Sequence, residues 1–264
     1  TFTVFLGMGY DWSFALTAVF LEGIIFILLS FFNVREAIFT AIPYSLKKAV
    51  SVGIGLFIAL IGFTSSGLIV ANEATYLSMG NLLTKESFIA IVALFTMAIL
   101  TAKQVRGALL YGIIISTVIA LITGVTHFPG IASLFSLPPS IKDVAFHLEW
   151  NNILTFDMFS VMFTFLFVDI FDTVGTLTGV ATKADLIDKD GNLPGVSKAL
   201  LSDAIGTVCG ALLGTSTITT FVESASGVAD GGRTGLTSLS TAFFFFISLF
   251  LFPLFSIVPP QATA

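Results

Sequence analysis

Charge is what this chain has least of. Aspartate, glutamate, lysine and arginine together make up 10% of its 264 residues, where soluble domains carry about 25%. So thin a supply cannot cover a water-facing surface, and with 56% apolar residues the composition is that of a membrane protein. Cysteine is nearly missing as well. Cys209 stands alone, which excludes an intramolecular disulfide and leaves the redox compartment open. No Asn-x-Ser/Thr acceptor occurs, and the two histidines, His127 and His147, lack a clustered partner, so neither is assigned chemistry. The net charge of −5 says little about partners, because several of the acids sit inside apolar segments. No nucleic-acid partner is expected.

What is present is a series of long apolar runs. A spanning helix needs about 20 such residues. Residues 12–32, 49–71, 107–125, 157–182 and 234–258 supply spans, with shorter ones at 87–102 and 199–214. Residues 34–42, ended by Pro43, are short and amphipathic and suit a helix at the membrane interface. Residues 126–152 break the pattern with three prolines, and 183–198 form a polar loop. The first residue is Thr with no charged leader ahead of the first run, and the last residues are Pro259-Pro260-Gln261-Ala262-Thr263-Ala264. The chain reads as a piece of a longer polytopic protein.

Alternating the spans puts nine of the eleven basic residues on one side, with only Lys85 and Lys142 opposite. Cytoplasmic loops carry the excess of Lys and Arg, so that side is expected to be cytoplasmic. The bias needs residues 215–232 to cross once, yet these are crowded with Thr, Ser, Gly, Glu223 and Asp230. Non-helical backbone at membrane depth is tolerated only where protein or a cavity surrounds it. Thr217 to Val222 are β-branched and aromatic, which favours an extended piece. A half-helix is then expected from Glu223 to Asp230, exposing unpaired N–H groups in its first turn. Broken segments of this kind mark substrate sites in secondary transporters.

Two acids lie deep in residues 157–182. A charge at the bilayer centre costs at least about 2.5 kcal/mol, so such residues usually serve a pathway or site. Asp169, Asp172 and Thr176, at i, i+3 and i+7, form one polar stripe on a helix. Asp172 is read as facing a cavity, and Asp169 as bracing it. Phe221 and Glu223 point to one face of an extended segment, which suits a flat heterocycle: the ring stacks and the carboxylate accepts ring N–H groups. Asp203 is read either as a supporting partner or as a structural hydrogen-bonder, and Glu22 as structural. Proton-coupled uptake needs a carboxyl that exchanges a proton near neutral pH; Asp172, Asp203 and Glu223 are candidates.

Two motifs are decoys. Residues 227–234 match the phosphate-loop spacing except that Arg233 replaces Lys, and no soluble α/β domain surrounds them. Residues 188–192 start like a calcium loop but lack Gly at the sixth position and Glu at the twelfth, so they are a turn.

Phe171-Asp172-Thr173-Val174-Gly175-Thr176-Leu177 and Thr220-Phe221-Val222-Glu223-Ser224-Ala225-Ser226-Gly227 resemble the nucleobase–cation symporter-2 (nucleobase/ascorbate transporter) family, and more closely its AzgA-type branch of adenine/hypoxanthine/guanine permeases. Gly7-Met8-Gly9-Tyr10 and residues 45–55 are similar to stretches of that branch. The resemblance implies an all-α polytopic fold of two inverted repeats of seven segments, with a core and a gate domain, of which this chain covers segments four to eleven. On that basis residues 1–33 and 157–258 belong to the core, 34–48 to an interfacial helix and linker, 49–125 to the gate, 126–156 to an extracytoplasmic loop and 259–264 to a further linker.

The resemblance also implies roles. Asp172 binds the base, Glu223 begins the tenth segment's half-helix, Phe221 packs on the ring, and Val222 offers its backbone N–H. Asp203 matches the ninth-segment acid that supports the network. Thr176 stands where uracil- and xanthine-type relatives have His or Asp, and Ser224 where they have Asn, which fits the purine branch. The implied activity is proton-coupled purine uptake across the plasma membrane, by a multi-pass protein needing no cofactor beyond the coupling H⁺ and dimerising through the gate. The rivals are an anion carrier of the same architecture and an intramembrane aspartyl protease built on Asp172 and Asp203.

Overall fold

The computed structural model describes residues 7–128, 130, 134–188 and 192–264. Helix α1 (Trp12–Phe31) begins where the Asp11 carboxylate accepts the Trp12 amide at 2.8 Å, an N-terminal cap. Helix α2 (Val34–Ala41) follows Asn33, whose φ of 56° turns the chain. It stops at Ile42 because the residue before Pro43 is pushed to extended backbone. Helix α3 (Tyr44–Ser65) ends before strands β1 (Ile69–Asn72) and β2 (Tyr76–Met79). Helices α4 (Lys85–Ala102), α5 (Ala108–Thr123), α6 (Phe156–Lys183), α7 (Val196–Leu212), α8 (Ser224–Ala229), α9 (Gly235–Ser248) and the short turns α10 (Phe252–Phe255) and α11 (Pro260–Thr263) complete the order.

Four of these, α1, α3, α4 and α6, are long and apolar enough to cross a membrane. Two expected spans are shorter than read. The run at 49–71 leaves the helix at Ser65: Gly67 takes a φ of +74°, and Ile69 and Val70 pair with Met79 and Ser78 in an antiparallel hairpin. The Asn72 side chain closes its turn by accepting the amides of Ala74 and Thr75. The run at 234–258 leaves the helix at Ser248, because Pro253 has no N–H to continue it and restarts the chain as α10.

The chain forms two packed units. The first comprises Thr1–Ile54 and Pro139–Ala229. Within it α1 lies against α7 at close range: a Cβ placed on Gly23 would stand 2.7 Å from the Val208 side chain. Small residues allow such approach between apolar helices. Phe14, Ala15 and Ala18 of α1 pack on Met158 and Val161 of α6, while Phe39 of α2 packs on Val174, Val196 and Leu200. One side of helix α2 is buried within the protein. Arg35 and Phe39, four residues apart and so on one side, are 3% and 2% exposed within protein.

The second unit comprises Gly55–Pro138 and Asp230–Ala264, so residues 230–258 group with the 55–138 segments and not with 157–229 as the sequence suggested. The ties are local. Asp230 accepts the Gly107 amide at 3.2 Å at the start of α5, and the Ser136 amide donates to Phe250 at 3.0 Å. Helix α5 packs on α4 where Gly112 leaves room for Met97. Phe243 to Phe246 of α9 are 60–68% exposed, an apolar belt stable only against lipid or further protein.

Candidate functional site

The site is built in the first unit around α6. Asp169 is buried, Asp172 is half-buried, and the two face the same side as the spacing requires. Arg35 reaches them from α2. Its Nη2 donates to Asp169 at 3.4 Å and to Asp203 of α7 at 3.2 Å, and its Nη1 donates to the Leu200 carbonyl at 2.8 Å. The guanidinium also lies 3.8 Å over the Phe26 ring of α1. One side chain therefore ties four helices together. Without this cation Asp169 and Asp203 would be two like charges in a dry site.

The segment between α7 and α8 is not helical. Residues 215–221 carry no regular backbone pairing, and threonine hydroxyls hold them instead. Thr207 donates to the Ile218 carbonyl at 2.9 Å, Thr173 and Thr219 hydroxyls meet at 3.3 Å, and Thr217 donates to Glu22 of α1 at 3.2 Å. Such backbone needs polar partners inside an apolar protein, and the run of β-branched threonines supplies some while staying extended.

The half-helix is α8, Ser224–Ala229. Its first amides are not left open as the sequence reading expected. Ser224, Ala225 and Ser226 donate to the carbonyls of Phe221, Val222 and Glu223 at 3.2, 2.9 and 3.0 Å. The chain tightens into a turn before the helix, which uses those donors locally.

A cavity of about 510 Å³ opens beside this segment, lined by Glu22, Asp169, Asp172, Ser216, Thr217 and Thr219 among others. Its apolar wall is α6 and α1, including Val161, Phe165 and Val19. Helix α8, which follows Glu223, packs against α6, the helix that carries Asp172. The structure thus brings Asp169, Asp172 and Asp203 into one neighbourhood with Glu223 at its edge. Phe221 and Glu223 are exposed, Phe221 by 62%, and neither they nor Val222 and Ser224 line this cavity. Thr176 is 1% exposed in the packing of α6 and does not line it either.

Two residues at the site escaped the sequence reading. Arg35 was counted only as a cytoplasmic charge; its i, i+4 pairing with Phe39 on a short helix was the available signal. Glu22 was read as structural, and it does accept from Thr217, but it also lines the cavity. The decoys fall away in different ways. Asp230 caps α5. Of residues 188–192, positions 189–191 lie outside the described residues, while Asp188 and Asn192 bond each other as a turn does. Among the described residues no group of three acids, histidines or cysteines is placed to hold a metal.

The Permease family profile named Xan_ur_permease matches residues 1–263. The chain belongs to this nucleobase/ascorbate transporter family. This permease chain is 47% identical over 254 residues to a putative permease of Methanocaldococcus jannaschii, covering 96% of this chain and 58% of that protein. It is 38% identical over 263 residues to adenine permease AdeQ of Escherichia coli K12, covering all of this chain and 59% of the relative. It is 42% identical over 256 residues to guanine/hypoxanthine permease PbuG of Bacillus subtilis, covering 96% and 58%. The chain therefore spans less than two thirds of the relatives it matches. Membership of a permease family, together with the apolar spanning helices, makes it part of a multi-pass membrane protein of a permease family and not of an enzyme family. The aspartyl protease alternative is overturned, and Asp203 is committed to Arg35 besides.

Proposed function

We propose that the protein takes up purine nucleobases across the plasma membrane together with protons. The observation that carries this reading is the carboxylate-lined cavity beside a broken segment in an apolar helical unit. Its volume falls within the range of about 300–1,000 Å³ usual for small-molecule sites. Relatives named as adenine and guanine/hypoxanthine permeases support the choice of guest.

In this reading Asp172 accepts ring N–H groups of the base, and Glu223 approaches from the turn before α8. Phe221 folds onto the ring, and the Val222 amide and Ser224 on the same turn help to select it. Exposure of Phe221 and Glu223 is consistent with a site that closes around its guest. Asp169, Asp203 and Glu223 form the acidic network that supports proton coupling, with Arg35 fixing two of them. The inverted-repeat architecture, movement of a core past a gate, and dimerisation through residues 49–125 belong to the same proposal.

An anion carrier is the less favourable reading, because a cavity lined by Glu22, Asp169 and Asp172 repels an anion. Reconstitution of the intact protein in liposomes decides between them. Labelled hypoxanthine is expected to accumulate, to be displaced by adenine and guanine, and to be indifferent to sulfate. Wild-type uptake by both Asp172→Ala and Glu223→Ala, or sulfate transport in place of base transport, overturns the proposal.

A further inference from the structure

We propose that Glu22 of α1 is the carboxyl through which the coupling proton is loaded, an inference that rests on the transport reading above and adds a residue to it. Two carboxylates, Asp169 of α6 and Asp203 of α7, share a single guanidinium, that of Arg35, and a third, Glu22 of α1, lines the same cavity as Asp169. If all three were ionised, two negative charges would stand uncompensated in a buried place, and Asp172 adds a further charge beside Asp169. An uncompensated buried charge is strongly unfavourable, and a proton is the lightest remedy.

The hydrogen bonds indicate which acid takes it. Asp169 and Asp203 each hold an ion pair with Arg35. Glu22 does not. It is 0% exposed, its Oε2 accepts from Thr217, and its Oε1 is buried with no hydrogen-bond partner among the described residues. A buried polar atom left without a partner calls for an explanation. A proton on Oε1 removes the charge, and it places an O–H on a side chain that lines the cavity.

Thr217 makes this more than storage. It belongs to the non-helical segment that leads to Phe221 and Glu223, and an ionised acceptor holds a hydroxyl more firmly than a neutral one. Loss of the proton therefore tightens the grip of α1 on the broken segment, and gain of the proton relaxes it. The charged and titratable groups facing Glu22 are Asp169 on α6, Asp203 on α7 and Arg35 on α2.

The test uses the intact protein in liposomes loaded with a pH-sensitive dye, with hypoxanthine as the probe. In the wild type, hypoxanthine is expected to drive proton entry. Glu22→Gln, which keeps the shape and an acceptor for Thr217, is expected to lose base-driven proton entry and the pH dependence of hypoxanthine binding; Glu22→Asp restores part of both. Thr217→Val, which leaves Glu22 in place, is expected to shift the pH midpoint of hypoxanthine-driven proton entry, and it decides the matter should Glu22→Gln not fold. Unchanged proton entry and pH profile in Glu22→Gln, an unchanged midpoint in Thr217→Val, or wild-type uptake driven by sodium without protons would overturn the proposal. A wild type that binds no base at all would instead sink the transport reading on which it stands.

Discussion

Arg35 faces Asp169 and Asp203 with 2% of its side chain exposed, so its removal leaves two carboxylates buried without a counter-charge. Arg35→Met is expected to destabilise the protein by about 3–5 kcal/mol, read as a fall in the thermal unfolding midpoint in detergent. Adding Asp169→Asn and Asp203→Asn should recover much of the loss, because the like charges go with the cation. A single variant as stable as the wild type would show the ion pairs to be dispensable. At the cavity, Asp172→Asn exchanges a charged acceptor for a neutral amide. It is expected to cost about 1.5–3 kcal/mol of hypoxanthine affinity, measured by direct binding to the intact protein. Phe221→Ala is expected to cost less, about 0.5–1.5 kcal/mol. Equal affinities across the series would move the base elsewhere.

Among the helices, the tightest fit is that of α1 on α7. A side chain at Gly23 would press on both the Val208 side chain and its amide, the latter at 3.0 Å. Gly23→Val is therefore expected to destabilise by about 1–3 kcal/mol through overpacking, and Val208→Ala should rescue it only in part because backbone is also in the way. Full stability of the single variant, by thermal unfolding, would mean that α1 and α7 can separate without loss. The non-helical segment obeys a different rule. Its place was legible in the run of Thr, Ser and Gly flanking Glu223, because polar residues in an apolar chain must be enclosed. Its tethers were not legible, since Thr207, Thr173 and Glu22 lie 11, 46 and 195 positions from their partners.

For the molecule in its membrane, the asymmetry of basic residues makes the boldest claim. With Cys209 replaced by Ala, single cysteines at positions 103 and 142 are expected to react with an impermeant thiol reagent from opposite faces of a vesicle. Reaction of both from one face would reverse the assignment of at least one loop. The exposed phenylalanines of α9 fit the same picture, since an apolar belt of that kind is quiet only where water is excluded.

Composition and hydropathy decided that this chain lives in lipid, roughly where its helices start, and where one of its crossings must break; these follow from local rules, the low supply of charge and the backbone's need for partners. They did not decide that residues 66–80 turn into a hairpin, that residues 230–258 join the 55–138 unit, or that Arg35 and Glu22 meet the acids of α6 and α7. Those outcomes depend on which faces lie within a few ångströms once the helices pack. The i, i+4 pairing of Arg35 with Phe39 marks a shared face, but whether that face lies on a cytoplasmic loop or between four helices depends on its distant partners.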